Sequence, residues 1–249
     1  MIKLHPKESL LSSFVEGSLP ASLSVVIASH VEMCPECQKQ VESLTEQAAN
    51  ACFGEGSSSA TQFGLAPQVE MLCEELMDFD SDVEASLNDS ELSMLEAITS
   101  ATEEVEHVAE TVDLAAITDK EIEVSGAKFK VPRALRNIEI KPFQGLGNLS
   151  RSRLSIEDGD LRTSLLHIDK GGSVPTHTHK GFEVTLLLQG SFEDEMGVYQ
   201  AGDFIWLDAE HTHQPVTKTG CVCLTVSNDA IHFTKGVSQL LNPIGQFIY

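Results

Sequence analysis

The chain has 249 residues and an ordinary apolar fraction, which allows one large domain or two small ones. Its formal net charge is −22, with 38 acidic and 16 basic residues, and such a charge argues against direct binding of DNA or RNA. It favours a basic partner or simply solubility. No run of about 18 apolar residues and no signal-peptide core is present, so neither a membrane span nor secretion is predicted.

The first 50 residues are predicted to be helical. Apolar residues recur at helical spacing in Ser9–Glu16, and Gly17 ends this helix. Pro20 fits the first turn of a second helix, and a third, more polar helix is predicted from Cys37 to Asn50.

The middle of the chain is acidic. A Gly/Ser-rich loop or linker is predicted at 54–64, and helices are predicted within 65–117, where Leu92 and Leu95 recur at helical spacing. The domain boundary is placed within 100–120.

From about Ile122 the pattern changes to short alternating segments bounded by turn residues, which favours a β-sandwich or barrel. Gly190 is predicted to close a strand with a turn, and Trp206 is expected in the barrel core. The candidate strands are Ile138–Lys141, Arg162–Ile168, Phe182–Leu188, Ser191–Glu195, Phe204–Leu207 and Cys221–Ser227.

A first set of metal ligands lies near the N-terminus: His5, His30, Cys34 and Cys37. Two thiolates and two imidazoles complete a tetrahedron and suit a closed structural Zn²⁺ site. The alternatives are a Cys-x-x-Cys redox pair, which the absence of a βαβ pattern disfavours, and an ordinary surface role for His5. Because a zinc site needs reduced thiolates, a cytoplasmic location is predicted.

A second set lies near the C-terminus: His177, His179, Glu183 and His213. His177 and His179 are two apart, so their rings point to one face of an extended segment. Imidazoles and a carboxylate accept Zn²⁺ or another divalent metal. His211 is the competing ligand, and it is interpreted as a residue of the rim.

The spacing from Gly171 to Gly190 resembles the first cupin motif, G-x5-H-x-H-x3-E-x6-G, at every defined position. Gly202 begins a match to the second motif and places His213 on its histidine. Three positions of the second motif differ: Asp208, Glu210 and Thr217. The resemblance implies a double-stranded β-helix barrel. An octahedral metal on the four ligands keeps open positions for oxygen or substrate, whereas a tetrahedral zinc is closed.

The two sets together resemble the ChrR family of bacterial anti-sigma factors, which combines a zinc-binding anti-sigma domain with a C-terminal cupin. The fold class implied is α+β with two domains, a small all-α zinc-binding domain followed by an all-β cupin barrel. The predicted bounds are 1–100 for the helical domain, 101–121 for an acidic linker and 122–249 for the cupin domain with a C-terminal extension.

The resemblance implies a regulator and not an enzyme. Its helical domain would sequester an extracytoplasmic-function sigma factor, and its cupin would sense oxidative stress such as singlet oxygen or organic hydroperoxides. The acidic charge fits a partner that presents basic surfaces.

Two other functions stay open from the residues. One is a metal-dependent cupin enzyme, such as a dioxygenase, with an accessory zinc domain, and the other is a metal- or sugar-binding cupin module. Cys221 and Cys223 share one face of a predicted strand, either as small buried residues or as a redox pair near the metal. The oligomeric state is not predicted.

Overall fold

The computed structural model describes residues 2–53 and 120–235. The helices predicted within 65–117, the domain boundary and the tail from 236 onward lie outside these described residues. Residues 2–48 and 120–235 form one compact unit. In the described parts of the chain, every helix is too short or too polar to cross a membrane.

Three helices begin the chain, as predicted: α1 (Glu8–Val15), α2 (Ala21–Met33) and α3 (Pro35–Phe53). Gly17 adopts φ +68° directly after α1, the left-handed conformation that ends helices and that glycine adopts at low energy. Pro35 occupies the first position of α3, where its missing N–H leaves no helical hydrogen bond unmade. This start brings Cys37, which is buried, into the first turn of α3.

Twelve strands lie within residues 120–235. The strands are β1 Glu121–Val124, β2 Ala127–Lys130, β3 Gln144–Leu146, β4 Leu149–Arg153, β5 Arg162–Ile168, β6 His177–His179, β7 Glu183–Asp194, β8 Gly197–Gln200, β9 Phe204–Leu207, β10 Thr212–His213, β11 Cys221–Ser227 and β12 Ile231–Phe233. All pairings among these strands are antiparallel. The larger sheet has the order β3-β4-β5-β11-β7-β8, with β9 also paired to β7, and a three-stranded sheet has the order β10-β6-β12. β1 and β2 form a separate hairpin.

The larger sheet is buried on both faces, and β11 shows the division. Val222, Leu224 and Val226 point to a core that also contains helix residues such as Val26 and Ile27. Cys221 and Cys223 alternate with them and point to a second core inside the barrel. The outer face of the sheet is therefore covered by the helices, which explains why β11 has a nearly continuous apolar sequence.

Three strand-level predictions were wrong in detail. Gly190 does not turn the chain, because β7 continues through it with φ +78°, and a Cβ atom there would overlap the carbonyl oxygen of Gly220. Ile138–Lys141 makes only an isolated bridge, between Ile140 and Leu154. Trp206 is 40 % exposed and stacks on Phe182 at 4.8 Å between ring centroids, so it lies outside the core.

The N-terminal segment pairs with the barrel next to β9. The backbone N–H groups of Lys3 and Leu4 donate to Oδ1 of Asp203, at 2.7 and 3.2 Å. The N–H of Phe204 donates in turn to the carbonyl of Leu4 at 3.0 Å. Asp203 is fully buried, so these bonds are shielded from water and hold the segment on the sheet.

Helix α2 is also tied to the barrel. Its first turn lacks a side-chain cap of its own, and Oδ2 of Asp158 accepts the N–H of Ser22 at 2.7 Å. A carboxylate at this end of a helix satisfies a free backbone donor and complements the helix dipole. Near the other end, Oε2 of Glu32 accepts the N–H of Arg133 at 2.7 Å. Both ends of α2 are thus hydrogen-bonded to the cupin part of the chain.

Candidate metal centres

The structure brings the four N-terminal candidates together, with one ligand atom of each within 4.8 Å of the others. Nδ1 of His5 lies 3.4 Å from Sγ of both Cys34 and Cys37. Nε2 of His30 lies 3.3 Å from Sγ of Cys37. His5 reaches this cluster because its segment is held against β9, and the other three residues come from the end of α2 and the start of α3.

These distances fit a tetrahedral zinc. With bonds of about 2.3 Å to sulfur and about 2.05 Å to nitrogen, the sulfur–nitrogen edge of a tetrahedron is about 3.5 Å. The observed separations of 3.3–3.4 Å are close to that edge. The donor set and the spacing are therefore both those of a closed structural site.

The cupin part of the chain orients one of these ligands. Nδ1 of His30 donates to the backbone carbonyl of Gly202 at 2.8 Å, which leaves Nε2 free to face the thiols. Such a bond to the second ring nitrogen is the usual support for a metal-binding histidine. Gly202 lies at the turn before β9 with φ +94°, and a Cβ atom there would overlap the side chain of Ile2.

Burial favours the neutral forms of His30 and Cys37. It lowers the pKa of His30 to about 4, and it raises the pKa of Cys37 to about 12, with the neighbouring Cys34 adding to the rise. A thiolate in this dry environment needs a nearby positive charge. A bound divalent cation supplies that charge.

The four C-terminal candidates also come together inside the barrel, with one ligand atom of each within 4.8 Å of the others. Nε2 of His213 lies 3.1 Å from Nε2 of His177 and 3.5 Å from Nε2 of His179. Oε2 of Glu183 lies 3.2 Å from Nε2 of His179. Neighbouring ligands are about 3.3 Å apart around a tetrahedral metal and about 3.0 Å apart around an octahedral one, so the spacing suits a metal of either geometry.

Strand register explains this convergence. His213 on β10 pairs directly with His177 on β6, and the two-residue period places His179 on the same face. Glu183 begins β7, four residues after β6 ends at His179, and its carboxylate returns to the same point. The four side chains thus converge because two lie on one short strand, one is paired across from that strand, and one follows a short connection.

Two of the three C-terminal histidines, His177 and His213, have supporting hydrogen bonds as well. Nδ1 of His177 donates to the carbonyl of Pro175 at 2.8 Å, and Nδ1 of His213 donates to Oδ2 of Asp194 at 3.1 Å. Both bonds leave Nε2 as the ligand atom and increase its basicity. The carboxylate of Asp194 is only 1 % exposed, so its bond to His213 is strong.

Burial again favours the neutral forms. It lowers the pKa of His177 to about 4 and of His179 to about 3, with like-charged neighbouring histidines adding to both shifts. Burial raises the pKa of Glu183 to about 7. The neutral imidazoles are ready to bind a metal, and a cation would draw the proton from Glu183.

His211 lies outside the cluster. It is exposed, and its Nδ1 donates to Oδ1 of Asp208 at 2.7 Å on the adjoining loop. The interpretation that His213 is the inward residue and His211 belongs to the rim agrees with this placement.

Cys221 and Cys223 share the inner face of β11, as predicted, and both are buried free thiols. Their mutual hydrogen bond lowers the pKa of Cys221 and, together with burial, raises that of Cys223. Cys223 lines the same cavity as three of the cupin ligands.

Sequence reasoning missed the residues that support the two clusters. Asp194 is 19 positions from His213, and Gly202 is 172 positions from His30. Their carboxylate and carbonyl are brought to the histidines only by tertiary pairing. The sequence marks Gly202 only as the start of the second cupin motif. It marks Asp194 only as a residue near the end of a predicted strand, with no sign of a contact to His213.

The fold and the two sites define a class of protein in which a helical part with a Cys/His cluster is joined to a cupin barrel that has its own His/Glu cluster. Residues 135–230 match the family model described as the ChrR cupin-like domain. The whole chain is similar to the anti-sigma-E factor ChrR of Cereibacter sphaeroides, with 28 % identity over 97 % of this chain and 97 % of that protein.

The fold is also similar to a crystal structure of Rhodobacter sphaeroides SigE in complex with the anti-sigma factor ChrR. The matched chain is 24 % identical, the match covers 91 % of this chain and 100 % of that one, and the TM-score is 0.53. The resemblance to the ChrR family that the two motifs predicted is confirmed, as is the order of a helical part followed by a cupin barrel.

Proposed function

We propose that this chain is an anti-sigma factor that sequesters an extracytoplasmic-function sigma factor and releases it under oxidative stress. The observation that carries the proposal is the whole-length similarity to the anti-sigma-E factor ChrR, at 28 % identity over 97 % of both chains. The relative of similar fold is seen in complex with a sigma factor. A stress response to singlet oxygen or an organic hydroperoxide belongs to the proposal, as does a cytoplasmic location.

The helical part is assigned the inhibitory role, with His5, His30, Cys34 and Cys37 holding Zn²⁺. Thiolates favour zinc over harder cations, and three nitrogen–sulfur distances of 3.3–3.4 Å are close to the edge of a zinc tetrahedron. The zinc would cross-link the N-terminal segment to the junction of α2 and α3. In a small helical region this cross-link supplies much of the folding free energy.

The barrel is assigned the sensing role, with His177, His179, Glu183 and His213 holding Zn²⁺ or another divalent metal. A bound metal would act as a Lewis acid in the cavity that His177, Glu183 and His213 line. Pro175 and Asp194 orient the imidazoles of His177 and His213, and burial of the three histidines excludes bulk water.

The contacts between helices and barrel supply a physical route for the signal. Glu183 begins β7, and β7 pairs with β9 so that Leu186 is opposite Phe204. Phe204 in turn bonds to Leu4 and contacts the ring of His30 at 5.9 Å between centroids. A change at the cupin ligands that shifts β7 therefore reaches the N-terminal cluster through two paired strands.

The test is copurification of the full chain with an extracytoplasmic-function sigma factor from the same genome, followed by transcription with RNA polymerase. We expect a stable complex and loss of transcription from the sigma-dependent promoter. A folded, zinc-loaded chain that fails to bind any such sigma factor, but oxidises an organic substrate, would favour the cupin enzyme instead. The formal charge of −22 predicts that binding to a basic surface weakens as salt rises.

A further inference from the structure

Three hairpins within residues 120–235 have loops of two residues, and the turn of one differs from the other two. In Ser125-Gly126 both residues have a positive φ, and in Gly147-Asn148 the first residue does. These are the two turn types whose twist matches that of paired strands. In Glu195-Met196, between β7 and β8, neither residue has a positive φ. The β7–β8 turn therefore fits a hairpin less well and depends more on support from side chains.

The support for this turn comes from Asp194, the residue before the loop. Its Oδ1 accepts the backbone N–H groups of Met196 and Gly197, at 2.8 and 3.1 Å. An aspartate that accepts the N–H two residues further on is a common means of holding a turn. The carboxylate is 1 % exposed although Glu195 and Met196 are exposed, so these bonds are shielded from water and are strong.

The same carboxylate is bonded to a candidate metal ligand, because its Oδ2 accepts Nδ1–H of His213 at 3.1 Å. The backbone that follows His213 is tied to the hairpin as well. The N–H of Gln214 donates to Oε2 of Glu195 at 3.1 Å. Glu193 and Val216 exchange two backbone bonds of 2.8 Å. One buried carboxylate and three bonds of the nearby backbone therefore connect His213 with the hairpin.

A metal on His213 would strengthen the bond to Asp194. A neutral imidazole carries one proton, which can be on either ring nitrogen. A metal bound to Nε2 leaves that proton on Nδ1, where it donates to Asp194, and the cation polarises the bond. Without the metal, the other tautomer turns a lone pair of Nδ1 toward the carboxylate. Asp194 is then held less firmly in the position that supports the turn.

We propose that a metal held by His213 orders the β7–β8 hairpin at the protein surface, and that Asp194 is the positioning residue that connects the two. Loss of the barrel metal loosens the turn and makes its backbone N–H groups open more often. The barrel thereby has a surface element that responds to its metal. Only the regulatory meaning of this response rests on the proposed function, in which the barrel is the sensor.

Hydrogen exchange read by mass spectrometry tests the proposal on the full chain without a sigma factor. The zinc-loaded wild type is compared with Glu183→Ala, which removes a barrel ligand on the His179 side of the cluster. Metal analysis checks that the barrel metal is lost and the N-terminal zinc is kept. Peptides that cover residues 193–200 should exchange at least about tenfold faster in Glu183→Ala, and those of the β1–β2 hairpin should be unchanged. Equal exchange of residues 193–200 in the two proteins would overturn the proposal.

Glu183→Gln keeps the shape of the side chain and repeats the comparison if the alanine variant does not fold. Asp194→Asn, measured at zinc concentrations that fill the barrel site, tests the connection itself. An amide has one acceptor oxygen, so it cannot serve both His213 and the turn. Residues 193–200 should therefore exchange about as fast in zinc-loaded Asp194→Asn as in Glu183→Ala.

Glu195→Gln is the matched control, since Glu195 is an exposed carboxylate of the same loop and accepts from the backbone of Gln214. It should keep the protection of the zinc-loaded wild type. Protected 193–200 peptides in zinc-loaded Asp194→Asn, or an equal loss of protection in Glu195→Gln, would refute the role of Asp194. Because no sigma factor is present, a negative result leaves the anti-sigma proposal standing, and failure to bind a sigma factor leaves this measurement intact.

Discussion

Asp203 is the residue through which the N-terminal segment is held on the barrel, and Asp203→Asn is expected to release that segment. Oδ1 accepts two N–H groups, from Lys3 and Leu4, and Oδ2 accepts the N–H of Gln200 at 2.8 Å. An asparagine has a single acceptor oxygen, so its NH₂ group must face at least one of these donors.

The size of the effect follows from those three bonds. A hydrogen bond to a charged group contributes about 1.5–3 kcal/mol, and a neutral one about 0.5–1.5 kcal/mol. The substitution weakens two bonds and replaces a third with two opposed donors in a fully buried position. We expect a loss of roughly 3 kcal/mol in the docking of the segment, which corresponds to about a hundredfold more frequent local opening.

Hydrogen exchange read by mass spectrometry measures this opening. Peptides that cover residues 2–10 and β9 should lose protection in Asp203→Asn, while β5 and β11 should keep theirs. Zinc affinity at the N-terminal cluster should also fall, because His5 lies in the released segment and reaches the two thiols only while that segment is held on the barrel. Asp208→Asn is the matched control, since Asp208 is exposed and bonds only within its own loop. Unchanged protection of residues 2–10 in Asp203→Asn would refute the docking argument.

Three further predictions concern the two clusters. Cys34→Ser should abolish zinc binding at the N-terminal cluster and unfold much of the helical part, since structural zinc supplies roughly 10 kcal/mol or more of apparent binding free energy. Metal analysis and circular dichroism measure the two effects, with Cys52→Ser at an exposed position of α3 as the control. Normal zinc content in Cys34→Ser would contradict the assignment of Cys34 as a ligand. A fragment of residues 1–100 should bind and inhibit the sigma factor in a pull-down assay, and a folded fragment that does not bind would contradict the assignment of inhibition to this part. His177→Ala and Glu183→Ala should leave inhibition of the sigma factor intact and block its release by an oxidant, as measured with a transcription reporter. His211→Ala, outside the cluster, is the control and should respond normally. Normal induction in both His177→Ala and Glu183→Ala would point to a purely structural metal.

Local spacing predicted one pair of residues in each candidate cluster. Cys34 and Cys37 are three apart at the start of a helix, and His177 and His179 are two apart on a strand, so the backbone alone brings each pair to one face. Gly17 likewise ends α1 because a glycine adopts the left-handed conformation without strain. Helix order and cupin character therefore followed from the sequence.

Strand details depended on the partners of each strand. β7 continues through Gly190 because its first half pairs with β11 and its second half with β8, an exchange of partners that no local pattern reveals. Trp206 stacks on Phe182 at the surface, since the alternation along β9 places its neighbours Ile205 and Leu207 in the inner core. A large aromatic residue in a strand predicts burial only when the face it occupies is known.

The docking of the helices on the barrel was decided by tertiary structure alone. The bonds of Asp203 to Lys3 and of His30 to Gly202 join residues about 170–200 positions apart. Local sequence patterns do not predict contacts between residues so far apart. Arg151 and Arg153 similarly became part of a cavity only when four strands were placed in register. Short-range spacing thus predicts the candidate pairs Cys34/Cys37 and His177/His179, whereas the hydrogen bonds that support the candidate ligands, and the cavity beside them, arise from long-range packing that buries both faces of one sheet.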